Sequence, residues 1–306
     1  MESISSAHAA KVRRSDLVGL FLAVAFASSA AGLMAAADAP PLAIALWRNG
    51  LAAILLLPML LRHGAALRAL PRADWRPLLA SGLFLGVHFA CWVPSVKLTS
   101  IAAASSLVAT QVVWAAVFAR FAGHRVPRLQ AIGILVALIG VVLLTGIDVS
   151  LSPKAIAGDV LALLGAMAAA AYMHNGQKVR PLLPLSAFTA VVYLTAALTL
   201  LIICTVGSVP IVGFSAHAWL LIAAVTLFAQ FGGHSMYNRA LRSFSATAVS
   251  IAILFQIPGG TLLGFIILGQ APKAALLPAA ALIAVGVAVV IRAERPAVVD
   301  LESHGD

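Results

Sequence analysis

Charge is what this chain of 306 residues has least of: 10% of its residues are charged, against about 25% in an ordinary soluble domain. With 62% hydrophobic residues and a mean hydropathy of +1.05, it carries more apolar side chain than a water-soluble fold can bury. Acids are scarcer still. The ten are Glu2, Asp16, Asp38, Asp74, Asp148, Asp159, Glu294, Asp300, Glu302 and Asp306, and none falls in the middle of an apolar run. A proton relay through intramembrane carboxylates is thereby disfavoured. The two cysteines, Cys91 and Cys204, lie inside apolar runs, where a thiol packs as a small hydrophobe. Neither a disulfide framework nor a thiolate metal site follows. There is no HExxH and no paired cysteine, so the histidines of the apolar runs do not read as a metal enzyme. No catalytic residue, metal or cofactor is expected, and the chain is not read as an enzyme.

What is present is a succession of bilayer-length apolar runs. They cover residues 16–36, 42–61, 77–96, 101–121 and 129–147, then 156–176, 186–206, 217–238, 246–268 and 274–292. About 20 residues of helix cross about 30 Å of hydrocarbon, and helices are the only non-barrel way to satisfy a backbone there. The chain is therefore expected to be an all-α polytopic membrane protein of ten transmembrane helices. The opening KVRR, apolar run and AAADAP imitate a cleaved secretory signal. The run is long and a second follows almost at once, so it reads as a retained first helix.

A net charge of +10 and a pI near 10.6 would suit nucleic acid, but the cations sit between apolar runs rather than on one polar domain. Sixteen of the 20 fall in alternate connections that include both termini, while Lys97, Lys154 and Lys273 fall on the other side and Arg48 lies within a run. By the positive-inside bias both termini are expected to be cytoplasmic, and an inner membrane is the expected location. The expected partners are accordingly the lipid bilayer and a small-molecule substrate, with no nucleic acid and a monomer as the working assembly.

The two halves resemble each other. SDLVGLFLAVAF at Asp16 answers GDVLALLGAMAA at Asp159, and IGVVLL at 139–144 answers VGVAVV at 285–290, about 143 to 146 residues apart. Each half, 1–150 and 151–306, holds five spans, so the second must enter the membrane inverted. The Arg-rich stretch 62–76 corresponds to 207–216, which has no Lys or Arg. Inverted repeats of this kind are a transporter architecture with a substrate site near the midplane.

Polar residues inside the spans are the candidate substrate contacts. Arg48 could clamp a carboxylate through paired donors, or snorkel to the headgroups. Gln230, His234 and Asn238 recur every four residues on one face of the eighth span, with Tyr237 beside them. His88 and Trp92 share a face of the third span. Gln111, Trp114, Tyr172, His174 and Gln256 complete the set. Each of these could equally be an interhelical hydrogen bond. Pro94 and Pro258 lie inside spans, where a proline removes a helix hydrogen bond and bends the rod or, equally often, is simply tolerated.

Three segments carry a resemblance: PPLAIALWRNGLAAILLLP, then GVHFACWVPSVKLTSIAAASSLVATQVVWAAVFARFAGHRVPRLQAIGILVALIGVVLL, then GHSMYNRALRSFSATAVSIAILFQIPGGTLLGFIILGQAP. They resemble the EamA family of the drug/metabolite transporter superfamily over nearly the whole chain, most closely the bacterial aromatic amino-acid exporters. The resemblance implies a carrier with a central cavity, switching between inward and outward states and exporting amino acids. A multidrug or nucleotide-type carrier, or a non-transporting membrane protein, remains the alternative. Where the family usually has a proline in its fourth helix this chain has Val112, and His124 and Gln270 stand where glutamates usually follow a glycine.

The orientation is testable. Green fluorescent protein fused after Asp306 should fluoresce and alkaline phosphatase fused there should be inactive; the reverse pattern would place the C-terminus outside.

Overall fold

The computed structural model describes residues 14–99, 101–146, 152–268 and 274–293, and among these the regular structure is helical throughout. Ten helices are long and apolar enough to cross a bilayer: α1 (Ser15–Met34), α2 (Pro41–Arg62), α3 (Arg72–Leu98), α4 (Ala103–Phe121), α5 (Arg128–Thr145), α6 (Pro153–Leu182), α7 (Leu185–Val206), α8 (Ala216–Ala240), α9 (Ala246–Leu263) and α10 (Leu276–Ala293). The protein is a multi-pass membrane protein. Gln270 and Lys273 lie outside the described residues, as does Asp148.

Helix starts follow from local chemistry. Prolines 40, 71, 127 and 184 stand at the N-caps of α2, α3, α5 and α7. In α6, α8 and α9 the caps are Ser152, Ser215 and Ser245, whose hydroxyls accept from the N–H groups of Ala155, Ala218 and Ala248. After α4 and α5, Gly123 and Gly146 adopt φ of +86° and +82°, the conformation that ends a helix without a Cβ penalty.

The helices pair in a pattern that exchanging the two halves leaves unchanged. α3 runs along α6 as α8 runs along α1, while α2 meets α7, α5 meets α10 and α4 meets α9. This is the two-repeat architecture expected from the half-chain similarity. Large apolar side chains such as Leu61, Phe121, Val206 and Leu277 point outward, where lipid is their solvent.

Four helices are interrupted. α1 divides between Ala27 and Ala30, where Ser28 and Ser29 hydroxyls donate back to the carbonyls of Val24 and Phe26. α4 divides at Thr110, whose hydroxyl and N–H both donate to Leu107 O, at 2.6 and 3.1 Å. α9 divides after Ile253, because Pro258 has no N–H for Leu254 O, which accepts instead from Ile257 at 3.1 Å. α8 widens into a π-helical stretch over Thr226–His234. α4 therefore bends at the place where its repeat partner does, although it lacks the proline; threonine back-bonding does the work. By contrast α3 runs unbroken through Pro94, which is tolerated there without a break.

Close crossings use glycine. A Cβ on Gly286 of α10 would stand 2.5 Å from Gly133 O of α5 and 2.7 Å from Ala137 Cβ. Gly286→Leu should therefore destabilise the protein by about 1–3 kcal/mol through overpacking. A lowered melting temperature in detergent, with Gly19→Leu as an uncrowded control, would register this; equal effects of the two would remove the packing argument.

Candidate functional site

Arg48 lies two turns into α2 and is 1% exposed. It does not snorkel. Its Nε donates to Gln230 Oε1 at 2.9 Å, Nη1 points at Met34 Sδ at 3.7 Å, and the guanidinium carbon lies 4.3 Å from the centroid of the Phe89 ring. Its Nη2 is buried with no partner. All the groups that hold it are neutral, in surroundings where a cation is costly.

Gln230 sits in the π-helical stretch of α8 and spends its other end on α2: Nε2 donates to Asn49 Oδ1 at 2.9 Å, and Asn49 Nδ2 donates to Ala45 O at 2.8 Å. The widened turn is pinned from α7, where the Tyr193 hydroxyl lies 2.9 Å from Ser235 Oγ and 3.3 Å from Gln230 O. It also passes close to α1, for a Cβ on Gly232 would stand 2.6 Å from Phe26 Cγ.

One turn further along α8, the His234 ring lies among those of Phe89, Tyr237 and Tyr172, with centroids 5.3, 6.0 and 6.4 Å away. Its Nδ1 is buried and unpartnered. Asn238 follows: Oδ1 accepts from the Tyr172 hydroxyl, Nδ2 is buried without a partner, and its main-chain oxygen accepts from Arg180 Nε at 2.9 Å. Tyr237 OH accepts from Gln256 Nε2 of α9 at 3.1 Å. On α3, His88 stacks on Trp92 with centroids 5.9 Å apart, and its Nδ1 is 2.9 Å from Gly165 O. A carbonyl can only accept, so Nδ1 carries the proton and Nε2 is left as an acceptor.

Arg48, His88, Trp92, Tyr172, Gln230, His234, Tyr237, Asn238 and Gln256 thus form one contiguous polar and aromatic cluster. In this conformation it is closed around Arg48, Asn49, Gln230 and Asn238, all buried. The other three positions lie elsewhere. Gln111 is buried and Trp114 half-buried on α4, just past the Thr110 break. His174 is two residues from Tyr172 and therefore on another face of α6, where it meets Phe118 at 6.3 Å and lines a lateral cavity with Cys91.

The sequence reading passed over Asn49, Phe89 and Tyr193, and it counted Arg180 among the loop charges. Arg180 is instead 4% exposed at the end of α6, donating to main-chain oxygens of Asn238 and Leu183. Asn49 and Tyr193 could have been flagged as polar groups inside apolar runs.

A profile of the EamA-like transporter family matches residues 14–146 and again 156–292. The chain belongs to the EamA-like transporter family. Its members are membrane transporters of small molecules, not enzymes. None of the curated proteins compared matches the chain. Among solved structures, one crystal structure of a protein is similar with a TM-score of 0.74 and 21% identity, over 93% of this chain and 100% of that one, a likeness of fold alone. Within the EamA-like frame, the cluster lies where α2, α3, α6, α8 and α9 of the two repeats converge.

The hydrogen bonds of the cluster should differ in weight. Gln230→Leu strips Arg48 Nε and Asn49 Oδ1 of partners at once, and a hydrogen bond to a charged group is worth about 1.5–3 kcal/mol. Tyr172→Phe removes one bond of about 0.6 kcal/mol. Melting curves in one detergent should rank them so; a Tyr172→Phe loss as large as that of Gln230→Leu would mean that Arg48 is not the stressed member.

Proposed function

We propose that the protein exports amino acids or closely related zwitterionic metabolites by alternating access, as a uniporter, from the cytoplasm across a bacterial inner membrane, and that Arg48 receives the substrate carboxylate. The observation that carries this reading is the buried guanidinium with only neutral partners and a free Nη2. A guanidinium matches a carboxylate through two parallel N–H···O bonds. The Nη1/Nη2 edge suits this: Nη2 is free and Nη1 faces only a thioether at 3.7 Å. Nε can keep its bond to Gln230 throughout, so the clamp stays oriented.

Binding there would displace Met34, which belongs to the segment of α1 beyond the Ser28–Ser29 break. Carboxylate capture would thereby be coupled to the movement of an interrupted helix, with the repeats that meet near residue 150 as the moving bodies. The rings of Phe89, Trp92, Tyr172, Tyr237 and His234 supply the apolar and cation-attracting surface that an aromatic or aliphatic zwitterion needs. Arg48 also disfavours the multidrug alternative, since a cationic drug would meet an unneutralised positive charge.

Uniport suits the charge inventory. The acids among the described residues are Asp16, Asp38, Asp74 and Asp159, all in connections or within the first two turns of a helix. A net-neutral substrate does no work against the membrane potential, and a tenfold gradient supplies about 1.4 kcal/mol.

Proteoliposomes loaded with a mixture of amino acids should show protein-dependent efflux. Arg48→Gln should lower efflux of the preferred substrate at least about tenfold, the weight of a hydrogen bond to a charged group, without lowering transport of the corresponding decarboxylated amine, a cation that Arg48 repels. Flux of no amino acid by the intact protein would end the proposal. Equal loss for amine and amino acid would remove Arg48 from carboxylate recognition.

A further inference from the structure

Two lateral grooves flank the C-terminal half of α4. The first, of about 900 Å³, runs between α4 and α5 with apolar walls including Val113, Val117, Ile134 and Leu138, and it reaches Arg120 and Arg125. The second, of about 620 Å³, lies among α3, α4 and α6 with walls including Phe84, Val87, Phe118 and Met167, and it reaches His174, Asn175 and Lys178. Each is therefore oily along its walls with cations among its lining. Between them stands the end of α4, where Phe121 is 84% exposed.

The cations gather into one patch. Arg120, His124, Arg125 and Lys178 are exposed, and both Lys178 and His124 are near enough to act electrostatically on the His174 ring. Among the described residues no acid lines either groove. The patch has no neutralising partner in the grooves, whereas each groove offers an apolar channel leading from it.

We infer that these grooves form one binding site for an anionic phospholipid, which straddles α4 with an acyl chain in each groove and its phosphate among Arg120, Arg125 and Lys178. A compact zwitterion would leave most of the apolar length unused, and a neutral lipid would leave the cations unmatched. The site lies on the side of the loops richest in Lys and Arg, where basic pockets between helices meet anionic headgroups. It grips the segment of α4 beyond the Thr110 break and is separate from the Arg48 cluster, so it stands whether or not the protein carries amino acids.

Reconstitution into vesicles of equal phosphatidylglycerol and phosphatidylcholine, followed by mild extraction and native mass spectrometry, tests the site. The intact protein should retain phosphatidylglycerol over phosphatidylcholine at least about tenfold, since each Lys or Arg near an anionic surface contributes about a fivefold preference. The combined variant Arg120→Gln, Arg125→Gln, Lys178→Gln should bring the ratio close to unity. The pair Ala122→Trp with Leu135→Trp, which fills the groove mouths and keeps every charge, should lower retention too, and it decides the matter if the charge variant does not fold. As a control, Arg62→Gln, Arg68→Gln, Arg72→Gln, which lie outside the grooves, should lower the ratio far less than the groove variant. Equal retention of the two lipids by the intact protein would overturn the site, as would a loss in the control matching that in the grooves, or full retention by the groove-filled pair.

Discussion

Hydrocarbon offers no partner to a backbone N–H or C=O, and the architecture of this protein is a set of answers to that demand. Ten helices satisfy it along their length, and serine hydroxyls satisfy it at three of their starts. Where a helix is broken, each break is covered locally. Ser28 and Ser29 turn their hydroxyls back on α1, Thr110 on α4, and in α9 the carbonyl that Pro258 cannot serve is taken over by Ile257. These breaks are costly in lipid, and they coincide with contact points between the repeats. The α1 break faces the α9 break so closely that a Cβ on Gly259 would collide with Ser28 Oγ.

The same demand governs the side chains. Arg48 could not be carried into the bundle alone; Gln230, Asn49 and the Phe89 face make its burial possible, and the π-helical turn of α8 positions Gln230 with Tyr193 and Ser235 as its brace. Insertions of this kind in helices recur at functional sites. Yet the accounting is left incomplete at Arg48 Nη2, His234 Nδ1 and Asn238 Nδ2. Ser250 Oγ and Asp159 Oδ1 are unmet as well, but the three in the cluster lie together, and on the proposed function they are what a polar cargo would meet.

Much of this was legible in the residues. Apolar length placed the spans to within six positions at the described ends, and half-chain similarity anticipated two repeats, though not which helices of them pair. The i, i+4 stripe on α8 remained on one side of the helix even though four-residue spacing no longer equals one turn through Thr226–His234. What stayed hidden depended on three-dimensional partners. A threonine in an apolar run gives no warning that it will replace a proline, and Pro94 and Pro258 read alike although only the second stands at a break. Arg180 looked like a loop charge because its two carbonyl acceptors exist only once α6 ends beside α8. His174 was grouped with Tyr172 by proximity in the chain, whereas helical geometry sends the two to different faces.

The repeats also show where symmetry stops. His88 and His234 stand a half-chain apart on α3 and α8, and both reach the Phe89 ring, at 5.0 and 5.3 Å. Gln111 and Gln256 are similarly placed at the breaks of α4 and α9. Arg48, however, has the phenol of Tyr193 at comparable depth on α7. A carrier built from two inverted repeats can change its facing by letting the halves exchange conformations. Here the exchange cannot move the charge, because only one half has it. Whatever anionic group Arg48 holds would remain with α2 while the helices around it rearrange, and the two facing states would differ in energy by whatever the Gln230, Met34 and Phe89 contacts gain or lose. On the proposed function, a single arginine without a symmetry mate would serve as a fixed handle and would be a reason for the two facings to be unequally populated.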